Sequence, residues 1–173
     1  MNIVFLDIDG VLRSYESEFI FYDYDERLIK RLSEKYNIDF FQYNYDDVIA
    51  TYYEWDSRVV SRLKNILEKT TSKIITSSDW KDAKNPNKMR DLLTLKGLEK
   101  YYFCDNITLK EKYFAYRRSL EIKDSLNRYN ITNYVVLDNE KGLEKYFPNN
   151  IVVTNDLLSI NDMNEAIKIL KRK

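Results

Sequence analysis

The chain has 173 residues, enough for one domain with room for a small insert. Its 28 basic and 28 acidic side chains cancel, so no net field draws it to nucleic acid or to an anionic membrane surface. The absence of histidine excludes histidine acid–base catalysis and histidine metal sites, and a single cysteine, Cys104, excludes an internal disulfide. Any chemistry then runs on carboxylates, hydroxyls, Lys, Arg, Tyr or that one thiol, which reads as a buried small hydrophobe.

The N-terminus, MNIVFLDIDG, lacks the basic start and long apolar run of a secretory signal. No stretch approaches the ~18 apolar residues of a membrane span, so a soluble, cytoplasmic protein is expected. Residues 3–6 (IVFL) read as a buried strand that ends at Asp7, with Gly10 supplying a sharp turn. Residues 13–55 then interrupt the pattern. They hold ten acidic and five basic side chains, a net of −5, and thirteen of the 25 aromatic residues. Residues 27–36 look helical and 18–24 could form a hairpin arm, so the stretch reads as a small cap-like insert in a single domain spanning 1–173. Its rings could stack on a nucleobase or form the insert's own core, and the core reading is the simpler one.

Asp56 can cap a helix whose apolar positions Val59, Val60, Leu63, Ile66 and Leu67 share one face. Residues 73–76 (KIIT) form a second strand. Asn85 and Pro86 look like an N-cap and first helical residue, with Gly97 past the end of that helix. A third strand over 101–104, a helix over about 114–129, a fourth strand over 134–137 and a fifth over 151–153 follow. Ile160, Met163, Ile167 and Leu170 mark a last amphipathic helix. Residues 56–129, with seventeen basic and ten acidic side chains (+7), would suit an anionic substrate or simply solvated helix faces. Strands alternating with helices predict a parallel α/β sheet, and in such sheets ligands gather at the carboxyl ends of the strands. Asp7, Asp9, Ser77, Ser78 and Asp138 all follow strand ends, so they are expected on one edge.

Four segments carry chemistry. Asp7 and Asp9, one residue apart after a buried strand, repel unless a cation relieves them. Oxygen-only ligands favour Mg²⁺ over zinc, though an acidic turn after an edge strand has the same residues. In ITSSDW (75–80), Ser77 and Ser78 could cradle a phosphate or could simply cap a helix. Arg117 and Arg118 could balance phosphoryl oxygens or lie in solvent. Asp138, in VVLDNE (135–140), could complete a metal site or cap a helix near 140–146.

Taken in order, acid pair, hydroxyl, cation and acid at successive strand ends resemble the four motifs of the haloacid dehalogenase-like (HAD) superfamily, over residues 3–140. The stretches SSDW and VVLDNE, with the arginine pair and Glu121-Ile122 between them, look most like the HAD branch that includes domains of RNA-repair fusion proteins. The resemblance implies a Rossmann-like fold with a central five-stranded parallel sheet and a Mg²⁺-dependent phosphatase. Asp7 would be the nucleophile and Asp9 the acid–base group. Ser77 (Thr76 and Ser78 are register alternatives) and Arg117 or Arg118 would bind phosphate, and Asp7, the Asp9 carbonyl and Asp138 would bind metal. Asn139 stands where this family often has a second acidic residue; it could bind metal more weakly, with Glu140 in support. The expected substrate is a phosphorylated small molecule or nucleotide, with a nucleic-acid end as an alternative. A non-catalytic binding module on the same fold is the competing class. A phosphoreceiver domain is disfavoured because no lysine follows the fifth strand, and a topoisomerase-primase-like domain because its motif order is reversed.

Overall fold

The computed structural model describes residues 1–19, 22–110 and 113–172. Its centre is one parallel sheet built from β1 (Asn2–Leu6), β2 (Ser72–Thr76), β3 (Tyr102–Asp105), β4 (Asn133–Asp138) and β5 (Ile151–Val153), in the order β3-β2-β1-β4-β5. Among the described residues six α-helices accompany it: α1 (Glu26–Tyr36), α2 (Tyr45–Glu54), α3 (Ser57–Thr70), α4 (Lys88–Thr94), α5 (Phe114–Arg128) and α6 (Ile160–Leu170). Among the described residues, no helix is long and apolar enough to cross a membrane.

The strands are apolar on both faces because helices cover both. Val4, Leu6, Ile74, Val135 and Leu137 join one hydrophobic cluster with α3, α4 and α6. Ile3, Phe5, Ile75 and Val136 join the other, against Ile122 of α5, Leu143 and Phe147. The period-2 alternation of a strand thus assigns each side chain to its layer. Within α3, Val59, Val60, Leu63, Ile66 and Leu67 are all buried, as their spacing predicts. Truncating fully buried Leu63 to Ala would cost about 2–5 kcal/mol through lost burial and the cavity left behind.

Residues 13–55 depart from the sequence reading in two places. The proposed hairpin arm falls partly outside the described residues; within them, Tyr15–Phe19 is a 3₁₀ helix and residues 22–25 form no strand. A helix absent from the sequence reading, α2, follows Asn44, whose side chain accepts from Asp46 N–H at 2.7 Å. Phe40, Tyr43, Val48, Ile49 and Trp55 sink into the same cluster as α3 and α4. Tyr43 Oη donates to Asp91 at 2.7 Å, and Lys88 pairs with Asp47 at 2.6 Å, so α4 anchors the insert.

Three smaller differences have local causes. The helix expected to start at Asn85-Pro86 begins at Lys88, because Asp82 first closes a turn by accepting from Lys84 N–H (2.8 Å) and Asn85 Nδ2 (3.0 Å). The helix expected near 140–146 is a single 3₁₀ turn, Lys141–Leu143, capped by Glu140, which accepts from the Gly142 N–H, rather than by Asp138. Cys104 is half-buried instead of buried, and burial pushes its thiol up, away from the reactive thiolate.

Candidate active site

Sheet register puts the site together. Leu6 pairs with both Thr76 and Leu137, so the next residues along, Asp7, Ser77 and Asp138, lie side by side at the carboxyl edge. The ladder continues one step past the strands: Asp7 N–H donates to Leu137 at 3.0 Å, and Ser77 N–H donates to Leu6 at 2.8 Å. Thr76 pairs with Asp105, which brings Asn106 beside Ser77.

Arg118 enters this edge from α5. It is 1% exposed, and its Nη1 lies 3.1 Å from Asp7 Oδ1 and 3.1 Å from Asp138 Oδ2. The same nitrogen donates to the Ser77 carbonyl. Arg117 points elsewhere: its Nη2 donates to Asp79 at 2.7 Å, at the outer rim. One guanidinium therefore faces two carboxylates that are 5% and 0% exposed. Burial, then the charge of Asp7, pushes Asp138 well above the carboxylate range.

Asp9 is held from both sides. Trp80 Nε1 donates to Oδ2 at 2.7 Å, and Arg13 Nη1 donates to Oδ1 at 3.3 Å. Arg13 is fixed in turn by an ion pair with Glu54, at the end of α2. Burial raises the Asp9 pKa, against the lowering effects of Trp80 and Arg13. The turn that carries Asp9 needs Gly10. Its φ is +73°, and a Cβ there would meet the Asn139 side chain at 2.7 Å.

The hydroxyl side is more elaborate than the sequence indicated. Asn106 Nδ2 donates to Ser77 Oγ at 3.0 Å, which leaves the hydroxyl proton free to donate. Lys81 donates to Asn106 Oδ1 and pairs with Glu121 at 3.2 Å, fixing which way the amide faces. Ser78 Oγ accepts instead from Trp80 N–H at 3.4 Å, a turn contact. Asn106, Lys81, Arg13 and Trp80 received no role in the sequence reading. Asn106 alone had a usable signal, as a polar residue directly after a strand end.

Among the described residues no three Asp, Glu or Cys side chains converge as a metal cluster. The site nonetheless fits a hard, oxygen-seeking cation. It has two carboxylates, Asp7 and Asp138, and the Asp9 carbonyl accepts no hydrogen bond among the described residues. Such a sparse oxygen set matches Mg²⁺, which keeps several waters and takes one or two carboxylates. Asn139 does not face this set through its amide nitrogen, which donates to Tyr15 Oη.

A five-stranded parallel sheet of this order, with helices on both faces and polar residues at one edge, is the Rossmann-like fold of a HAD-type hydrolase domain. The particular family follows from comparison with known families: residues 3–164 match the one described as HAD domain in Swiss Army Knife RNA repair proteins, and the chain belongs to it. No curated protein and no solved structure matches the chain.

Proposed function

We propose that the chain is a Mg²⁺-dependent phosphomonoesterase that works through an aspartyl-phosphate on Asp7. The observation that carries this reading is Arg118 Nη1, 3.1 Å from both Asp7 and Asp138, which sets a phosphate-binding cation against the nucleophile. Asp7 attacks phosphorus, the bond from phosphorus to the ester oxygen breaks, and that oxygen takes a proton from Asp9. Asp9 then takes a proton from water as the water oxygen attacks the phosphoryl group, which frees phosphate and restores Asp7. Burial favours the protonated form of Asp9 for the first half of this cycle, and an arriving phosphate favours it further. Ser77 Oγ donates to a phosphoryl oxygen while Arg118 neutralises another. Asp7, Asp138 and the Asp9 carbonyl would hold Mg²⁺, which supplies charge that offsets repulsion between Asp7 and the phosphate.

The family description favours a phosphorylated nucleic-acid end or nucleotide as substrate. The test is release of phosphate from a small aryl phosphate with and without Mg²⁺, with Asp7→Asn in parallel. The wild type should turn over only with Mg²⁺, and the variant should lose on the order of 10³-fold or more. Residual activity close to wild type would remove Asp7 from the mechanism. A second reading, a phosphate-binding module without turnover, draws on Asn139 at the fourth strand and its contact with Tyr15. It predicts that inorganic phosphate binds while no substrate is hydrolysed.

A further inference from the structure

A group of exposed rings opens the N-terminal end of α5, next to the site. Tyr113, Phe114 and Tyr116 are 79%, 37% and 44% exposed. With Tyr146 and Lys145 they line an open cleft of about 510 Å³. The cleft and the carboxylate edge share a wall. The Phe114 ring lies 4.5 Å from Arg118 Cζ, and the same guanidinium touches Asp7. Around the Tyr146 ring, Lys145 Nζ of the lining and Lys123 Nζ just outside it lie 4.8 and 5.3 Å from the centroid, and among the described residues neither meets a carboxylate. Glu140, the acidic residue of the cleft, is engaged by the Gly142 N–H at 2.8 Å.

We propose that this cleft is a stacking subsite for the nucleotide that adjoins the terminal phosphate of a single-stranded polynucleotide. The proposal rests on the phosphatase reading and extends it to substrate choice. Exposed aromatic faces beside a phosphate site suit nucleobases of any sequence, because every base offers a π-face. Duplex bases are already stacked and would not reach the rings. A mononucleotide carries one phosphate, which Arg118 meets. Two further ammonium groups beside Tyr146 have an anion to meet only when the ligand continues into a phosphodiester. In the insert, Phe40, Tyr43 and Trp55 are buried in the core, as the simpler reading of that stretch expects, while Tyr15, Tyr24, Phe41 and Tyr53 are exposed.

The test compares aryl phosphate, a mononucleotide, a phosphotyrosine peptide and a single-stranded octanucleotide bearing a terminal phosphate. It uses the full chain, Tyr113→Ala/Tyr116→Ala and Lys123→Gln/Lys145→Gln. Tyr113 makes no side-chain capping bond, so its removal spares the helix start. The wild type should prefer the octanucleotide. The ring variant should lose about 5- to 150-fold in kcat/KM on it, mainly through KM, with aryl phosphate turnover unchanged. The lysine variant should show a shallower salt dependence on the octanucleotide alone. Equal losses on every substrate, no preference for the octanucleotide, or a preference for the peptide would overturn the proposal. Anisotropy of a labelled, unphosphorylated octanucleotide separates the two readings, because binding needs no turnover. Binding that the ring variant loses supports the cleft even if no ester is hydrolysed; aryl phosphate turnover without such binding sinks the cleft alone.

Discussion

Asp9 sits between an indole N–H and a guanidinium, and that pairing gives Trp80 a testable role. Trp80→Phe keeps an aromatic ring against Trp55, 5.9 Å away between centroids, but removes the donor to Asp9 Oδ2. The lost bond favoured the anion, so the Asp9 pKa, already raised by burial, should rise further. In the proposed mechanism both the protonation of the leaving oxygen and the later activation of water depend on Asp9, so the pH–rate profile should move to higher pH as a whole. Asp9 also loses one of the two donors that position it, so turnover at the optimum should fall on the order of ten-fold, part of the ~10²–10⁴ that a positioned acid–base group supplies. A profile that stays in place would show that the indole does nothing for Asp9. At this scale the residues at strand ends were legible, since one buried strand followed by a carboxylate is a costly pattern that demands a partner. Their partners were not. Asn106 reaches Ser77 only through the pairing of β2 with β3, which carries a register shift between Ile74 and Ile75 that no residue type announces. The choice between Arg117 and Arg118 likewise turns on how α5 is rotated over the sheet.

Helix termini behave as local chemistry dictates, and Asp56 gives the clearest measurement among the elements. Its Oδ1 accepts from Arg58 N–H at 2.7 Å and from Val59 N–H at 3.2 Å, closing two donors at the start of α3. Asp56→Ala should cost about 0.5–2 kcal/mol in chemical denaturation at pH 7. The Arg58 side chain, against a smaller effect of burial, lowers the Asp56 pKa from 3.8 to about 2 in the folded chain. A lowered folded value means the contribution is fully present above the ordinary carboxylate value and is lost as pH falls towards 2. The gap between wild type and variant should therefore be constant from pH 5 to 7 and close in strong acid. A gap that widens on acidification would contradict the capping account. The elements that carry such signals, β1, β2, β4, β5, α3 and α6, were readable from apolar spacing and caps. The helix α2 was not, because Val48, Ile49, Ala50 and Thr51 are buried in succession instead of at helical spacing. Packing against α4 on one side and the sheet cluster on the other overrides periodicity there.

For the molecule as a whole, alternating strands and helices were enough to read a parallel sheet, since few other arrangements bury that pattern. The insert was readable only as an interruption. Its rings serve the shared core more than a surface, with Phe40, Tyr43 and Trp55 buried and Tyr22, Tyr36, Tyr45 and Tyr52 packed against them. The carboxylate edge bears on overall stability. Asp7 and Asp138 face one guanidinium, and burial and Asp7 push Asp138 up to about 7, so near neutral pH part of Asp138 keeps its proton and holding both carboxylates charged takes a second cation. A cation that binds there and not to the unfolded chain stabilises the fold by RT ln(1 + [L]/Kd). At ten times Kd this is about 1.4 kcal/mol, which for a chain of this length raises Tm by about 3–6 °C. Mg²⁺ should therefore raise Tm in a thermal melt where NaCl at matched ionic strength does not. Asp138→Asn should lose most of that shift, because it removes one of two carboxylates, whereas Asp79→Asn, at the exposed rim, should keep it. An unchanged Tm at millimolar Mg²⁺, or an equal shift in both variants, would mean that Asp7 and Asp138 do not form a cation site and that Arg118 is their whole complement of positive charge.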